Sequence, residues 1–462
     1  MKKFVLALTA ASTLAFGTFA GQGAAQPAEH SQNPGFQAAF DQRIINQIDA
    51  ENIYDTIDYL QQTPRVAASE EEYAAVQFIK ETFEEFGYEA EVQPFEFFGY
   101  TSPHTVELFV GATDLDPRPF TYTPSGEVTA PLVNAGLGLP ADFDGLDLSG
   151  KIALIQRGEI SFGDKVLNAA GAGAEGVIIY NNGEGVINGT LGGANDNYVP
   201  AVSITRAQGE ELLAQMDGNE DVTVSLTILG AESGLRTSHN VIASKEATNR
   251  NKDTGKVITI TSHHDSVPGA PGANDNASGT AMVLELARVM KNVPTDTELR
   301  FITFGAEELG LIGSRYYVNN LPEEELDRIA ANFNLDMVGS RDAGDLVMRT
   351  VDGQSNLVTE LTQASSLRLN GEATPYARGG SSDHVPFGEA GIPAALFIHS
   401  PLEPWYHTPE DTIDKISIEK LQDVAQIVGT AVYNYARFDS QGPKEREQKK
   451  VAEEMYFEQN IK

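Results

Sequence analysis

The stretch Lys256-Val-Ile-Thr-Ile-Thr-Ser-His263-His264-Asp265-Ser266, continued by Val-Pro-Gly-Ala-Pro-Gly272-Ala-Asn-Asp275-Asn-Ala-Ser-Gly279, decides how this chain is read. Residues 257–261 are all β-branched, the composition of a strand. The chain then turns through Pro268, Gly269, Pro271 and Gly272 and enters an apolar helix expected over 278–290. Alternate residues of a strand share a face, so Asp265 can lie beside His263. Neutral imidazole is a good zinc ligand, and a ligating histidine usually gives its other N–H to a carboxylate that fixes its tautomer. A second carboxylate, Asp275, arrives where the loop meets the helix, a place from which it can be aimed rigidly. Strand, loop and helix outline a metal site, although His-x-Asp alone also describes a surface hydrogen-bonded pair.

Working outward, a helix is expected over 69–86. Ser69-x-x-Glu72 reads as a capping box, Val76, Ile79, Phe83 and Phe86 fall at helical spacing, and Gly87 is the stop. Strands are expected at 89–98 and 240–243. Further strands at 299–304, 331–337 and 394–398 alternate with helices at 309–319 and 418–436, the last with Leu421, Val424, Val428 and Val432 on one face. Continuous apolar strands alternating with helices imply an α/β fold, a mixed, largely parallel sheet with helices on both faces.

Between 105 and 237 the texture changes to Gly, Pro and Asp interleaved with short β runs, Lys151-Ile-Ala-Leu-Ile and Gly176-Val-Ile-Ile-Tyr180, around an alanine-rich helix at 164–172. This reads as a small α+β domain inserted at a surface loop of the larger one. The larger domain then comprises 37–104 and 238–440, with a charged tail at 441–462. Lys2 and Lys3, an apolar run to about Ala20 and small residues through Ala25 read as a secretory signal peptide over 1–25, which implies a secreted, extracellular protein. No other stretch approaches the roughly 18 apolar residues of a membrane span.

A formal charge of −34 and a pI near 4.5 set the chain against phosphate backbones and anionic membranes, so neither nucleic acid nor membrane is an expected partner. Solubility in salt or at high pH accounts for the charge; Ca2+ as a structural ion is a further expectation, although no EF-hand spacing occurs. With no cysteine, stability must come from packing or bound metal.

In α/β sheets ligands gather at the carboxyl ends of strands. Strand 299–304 ends in Gly305-Ala-Glu307-Glu308, the strand from Ala331 ends at Asp336, and the loop after 394–398 holds Trp405-Tyr-His407-Thr-Pro-Glu-Asp411. With His263 and Asp275 these make two histidines and three carboxylates, plus one carboxylate left over. Five such ligands, one of them bridging, suffice for two zinc ions that polarise a carbonyl and activate water while the free carboxylate takes the proton. Adjacent Glu307 and Glu308 suit that division, although paired glutamates are also common on solvated helix starts.

The motifs His263-x-Asp265, Gly272-Ala-Asn-Asp275-Asn-Ala-Ser-Gly279, Glu307-Glu308, Asn334-Leu-Asp336 and Tyr406-His407-Thr stand in the order of a known family. The chain resembles the secreted bacterial di-zinc, leucine-type aminopeptidases, of zinc-exopeptidase (phosphorylase/hydrolase-like) fold, over nearly all of its length after the signal. The wider family includes glutamate carboxypeptidase and the transferrin-receptor ectodomain. The inserted domain resembles a protease-associated domain through Gly150-Lys-Ile-Ala-Leu-Ile-Gln-Arg-Gly, Phe162-Gly-Asp-Lys165 and Ala172-Gly-Ala-Glu-Gly-Val-Ile-Ile-Tyr180. The resemblance implies two Zn2+ ions, one on His263 and Asp336, the other on Glu308 and His407, with Asp275 bridging. It further implies Glu307 as general base, Asp265 as the residue that orients His263, and Tyr406 as a donor to the tetrahedral oxyanion. Peptides with a free N-terminus are the implied substrates, and a monomer is the simplest expectation.

One departure matters. Some relatives carry an arginine directly before the Ser-Asp of Ser382-Asp383, and here that position is Ser381, with Arg378 near in sequence. His264 lies on the opposite strand face from His263 and reads as a packed histidine. His384 reads equally as pocket lining or as packing, and Trp405 as pocket wall or buried anchor. His30, His104, His239 and His399 lack partners at ligand spacing. Carboxypeptidase, dipeptidase, single-zinc glutaminyl cyclisation and a non-catalytic receptor-like module are the alternatives on this scaffold. The last predicts losses among the ligands or at the base, and none is present.

Overall fold

The computed structural model describes residues 34–218, 222–438 and 440. The expected signal peptide, His30 and the tail 441–462 lie outside these residues. The β-branched run forms strand Val257–His263, buried at every position. It lies inside an eight-stranded sheet whose order is Ala90–Thr101, Glu232–Lys245, Glu298–Phe304, Val257–His263, Ile329–Leu335, Ala394–Ser400, Asp345–Thr350, Tyr376–Arg378. The four central strands run parallel, and the flanks add antiparallel pairs. This is the expected mixed, largely parallel α/β sheet.

Helices cover both faces. Ile258, Ile260, Phe301, Phe333 and Phe397 pack against Ala50–Leu60, Glu70–Glu85, Gly279–Lys291 and Ile418–Ala436, while Val257, Ile302 and Phe304 meet Tyr317 and Phe387 on the other face. Each such side chain fully buried contributes about 1.5–3 kcal/mol relative to exposure. His263 pairs with Phe304, Thr261 with Asn334 and Leu335 with Phe397, so three of the parallel strands finish nearly level and Ala394–Ser400 runs three residues further. That register brings the residues after each strand together.

The strand expected at 331–337 is Ile329–Leu335, that expected at 240–243 is Glu232–Lys245, and two further local expectations differ from the structure. Gly310 (φ 107°) and Leu311 (φ 63°) hold left-handed backbone, so the helix expected from 309 begins later, as Ile312–Asn320. Ser69 caps Glu70–Glu85 by accepting the Glu72 N–H at 3.0 Å, but the return half of the capping box is missing. The Glu72 carboxylate is buried instead, accepting the Ala68 N–H at 2.5 Å and the Ser238 hydroxyl at 2.5 Å.

A second eight-stranded sheet, from Thr105–Val110 to Thr223–Leu229 in sequence, forms its own two cores with helices Phe162–Gly171 and Arg206–Asp217. Strand Ala90–Thr101 pairs along its whole length with 232–243, yet Glu298–Phe304 pairs only with 241–245. The nine steps from Val241 back to Glu232 therefore overhang the end of Glu298–Phe304 by about 30 Å at roughly 3.3 Å per residue. This ribbon carries the second sheet beyond the carboxyl ends of the first. Phe95 and Phe97 fasten its base to Ala67 and Ala306. Among the described residues, no helix is long and apolar enough to cross a membrane.

Candidate metal centre

The level strand ends assemble two groups that share one carboxylate: His263, Asp275 and Asp336, and Asp275, Glu308 and His407. His263 Nε2 stands 3.3 Å from Asp275 Oδ1 and 3.4 Å from Asp336 Oδ1. His407 Nε2 stands 3.2 Å from Asp275 Oδ2 and 3.1 Å from Glu308 Oε2. Two donors each about 2.0–2.1 Å from a tetrahedral zinc lie about 3.3–3.4 Å apart, so these separations fit shared ions. Asp275 turns a different oxygen to each group. Asp336 Oδ1 and Glu308 Oε1 are buried without a hydrogen-bond partner, which leaves them acceptors to spare. Glu307 belongs to neither group, its Oε2 being 3.9 Å from His263 Nε2.

Local backbone explains the aim of two of the candidate ligands. Asp275 (φ −110°, ψ 92°) steps out of helical geometry within the irregular turn Ala273–Ser278, just before helix Gly279–Lys291. His407 (φ 58°) is left-handed, a region where histidine is enriched among non-glycine residues. The Asp265 main-chain oxygen lies 3.2 Å and its Oδ1 3.4 Å from His263 Nδ1, which leaves Nε2 for ligation. The same carboxylate accepts the Glu307 N–H at 3.1 Å and the Glu308 N–H at 3.2 Å. The role expected for Asp265 was therefore too narrow: it also ties two strand ends together. The backbone between them is tightly enclosed, since a Cβ on Gly305 would lie 2.2 Å from Ser238 Oγ and 2.7 Å from Glu72 Oε1.

Several supporting residues escaped the sequence reading. Ser382 donates to Asp336 Oδ2 at 2.7 Å and accepts from Asn334 Nδ2 at 2.9 Å, leaving Oδ1 free. The buried Arg65 guanidinium donates to the main-chain oxygens of Leu60, His264, Pro271 and Gly272 at 2.7–2.9 Å, and so holds the loop between His263 and Asp275. Burial lowers its pKa to about 10, which leaves it charged at neutral pH beneath the carboxylates.

The electrostatics are those of an anionic site that holds protons where cations belong. Burial works against Asp275 ionising, but hydrogen bonds from His263 and His407 pull it down to about 2. Those from Asp275 and Glu308 lift His407 to about 10. Burial opposes charge on His263, yet Glu307 and Asp336 outweigh it and raise that group too. Burial, then Asp275, pushes Glu308 up to about 7. Burial raises Glu307 well above the usual carboxylate range, with Asp383, Asp336 and Asp265 adding to it against His263. Tyr406 stacks on His407 with ring centroids 3.8 Å apart. Burial and the nearby carboxylates raise its hydroxyl pKa, so it remains a donor. Metal binding would displace the imidazole protons.

The other candidates fall elsewhere. His264 is fully buried, 3.1 Å from Thr303 Oγ1 and 3.6 Å from Glu72. His384 is fully buried with neither ring nitrogen hydrogen-bonded, and burial lowers its pKa to about 4. His399 is buried, His239 half-buried and His104 exposed. Trp405 is half-buried and donates to Asp342 at 3.0 Å, so it is not a buried core anchor. Arg378 is exposed at the end of strand Tyr376–Arg378, the edge of the sheet three strands from Ile329–Leu335, where it pairs with Thr350.

Residues 240–432 match peptidase family M28, and residues 128–212 match the PA domain. The chain is 41% identical over 422 residues to aminopeptidase YwaD of Bacillus subtilis (strain 168), with 88% of each chain covered. Among solved structures it is similar to an aminopeptidase from Aneurinibacillus sp. strain AM-1, at 57% identity and TM-score 0.70 over 86% of this chain and 96% of that one. It is also similar to BSAP, a zinc aminopeptidase from Bacillus subtilis, at 40% identity and TM-score 0.63 over 84% and 96%. With ligand-forming groups at its strand ends and full-length relatives of this identity, the chain belongs to peptidase family M28, hydrolases of peptide bonds, and carries a PA domain within it.

Proposed function

We propose that this chain is a secreted zinc-dependent aminopeptidase that removes N-terminal residues from peptides at a centre of two zinc ions. The observation that carries the reading is Asp275, with one oxygen toward His263 and the other toward His407, beside a Glu307 that belongs to neither group. Two imidazoles among five donors favour zinc over magnesium or calcium. The aminopeptidases named above support the amino-end specificity, and BSAP supports the metal.

His263, Asp275 and Asp336 would hold one ion, and Asp275, Glu308 and His407 the other. When bound, such a pair polarises the scissile carbonyl and lowers the pKa of water. Glu307 takes the proton of the attacking water and returns it to the leaving amine, work that suits a buried carboxyl with raised proton affinity. Asp265 keeps that carboxylate in place through the Glu307 N–H, and Tyr406 donates to the oxyanion from the rim. All ligands and the base come from one chain, so a monomer suffices. Among the described residues no third His/Asp/Glu group converges, and the expected structural Ca2+ has no assigned position.

The test is hydrolysis of amino-acid p-nitroanilides against N-blocked peptides, with and without chelator. Cleavage of the free-amine set alone, lost on chelation and restored by two zinc ions per chain, is expected; cleavage of the blocked set alone contradicts the amino-end claim. Secretion rests on residues 1–25, and retention of the full-length, unprocessed chain inside the producing cell would refute it.

A further inference from the structure

Asp275 and His407 must stand 3.2 Å apart, yet they belong to segments 132 residues apart in sequence, joined by no strand pairing. Four hydrogen bonds fasten the two segments. The Asp411 carboxylate accepts the Asn274 N–H at 2.8 Å on Oδ1 and the Asp275 N–H at 3.0 Å on Oδ2, and the Asp411 main-chain oxygen accepts the Ala273 N–H at 3.2 Å. Glu403, four residues before His407, accepts from Asn274 Nδ2 at 2.7 Å. Asp411 and Glu403 are both buried. Asn274 passes the constraint on, since its Oδ1 accepts the Gly339 N–H at 2.9 Å.

We infer that Asp411, with Glu403, is a positioning residue that fixes the His407 loop to the bridging Asp275 and so sets the geometry of the Asp275–Glu308–His407 ion site. The other group shares Asp275 but has its two remaining ligands held independently. His263 is held by its strand and by Asp265, and Asp336 by Ser382, none of which touches the strap. Asp411→Asn keeps the size of the side chain but turns one acceptor into an N–H₂ that faces a backbone N–H. Loss of such an outer partner typically lowers metal affinity about 10–100-fold.

The inference rests on the two-metal reading above. The experiment strips the full chain of metal and titrates zinc against a chromophoric chelator. His407→Ala and Asp336→Ala identify which binding step belongs to which group. Asp411→Asn is expected to weaken the step that His407→Ala abolishes by about 10–100-fold, while the Asp336 step moves less than about threefold. Wild-type affinity at both steps, or equal weakening of both, overturns the inference. Should Asp411→Asn fail to fold, Glu403→Ala removes one strap and leaves the others; it must weaken the same step severalfold, and an unchanged step overturns the inference. A wild type that binds fewer than two zinc ions refutes the two-metal reading itself, which separates the two failures.

Discussion

Gly305→Ala adds one methyl group to a residue that coordinates nothing, and the structure predicts a large loss of activity from it. The new Cβ would lie 2.2 Å from Ser238 Oγ, 2.7 Å from Glu72 Oε1 and 2.8 Å from the main-chain oxygen of His239. Non-bonded contacts to carbon settle near 3.5 Å, so about 1 Å of movement is required. Ser238 and Glu72 are buried and bonded to each other, and His239 belongs to strand Glu232–Lys245, so the Gly305-Ala306-Glu307 backbone is the part that yields. A misplacement of about 1 Å at a catalytic group costs about 10² in rate, and overpacking of this size destabilises by about 1–3 kcal/mol. The assay is kcat and KM on the best of a panel of amino-acid p-nitroanilides at saturating zinc, with a thermal melt beside it. A folded variant with kcat within threefold of wild type refutes the claim that this packing aims Glu307.

Three further outcomes follow from the site. Glu307→Gln should retain both zinc ions and lose about 10²–10⁴ in kcat; a wild-type rate removes Glu307 from the base role. Asp275→Ala should lose tight binding of both ions, because both groups share that carboxylate; two tightly bound zinc ions in the variant contradict the bridge. In metal-free protein, His407 has a folded pKa of about 10 against about 6.5 unfolded, so its stabilisation is complete below pH 6.5 and is lost as pH rises through 10. Glu308, Asp383 and Asp411, raised chiefly by burial to about 7, bind more protons folded than unfolded and add the same sign near neutrality. The melting temperature of chelated protein should therefore fall from pH 6.5 to 8, and a flat or rising profile counts against this charge arrangement.

That His263, Asp275, Glu308, Asp336 and His407 would converge was legible because His263 ends an apolar strand and the others lie after one, and a parallel sheet delivers such residues to one end; which of them would be ligands came from the resemblance. The β-branched run before His263 and the apolar runs before Gly305 and Asp336 announce this without tertiary information. Supporting residues carry no such mark. Arg65 works on main-chain oxygens, which have no sequence signature, and Asp411 works on backbone N–H groups 136 and 137 positions away. Glu72 shows how a local pattern misleads: it stands at capping-box spacing, but burial against Ser238 and His264 offers its carboxylate partners that the helix end does not. The ribbon overhang was likewise hidden, because it depends on where Glu298–Phe304 stops pairing, a register set between strands rather than within one.

Everything proposed for the site turns on one carboxylate, Asp275, between two ions. Diffraction from zinc-loaded crystals at the zinc absorption edge tests it most directly. Two anomalous peaks about 3.5–4 Å apart are expected, one against His263 and Asp336, the other against Glu308 and His407, with an Asp275 oxygen on each. A single peak, or two peaks that Asp275 does not join, would contradict it.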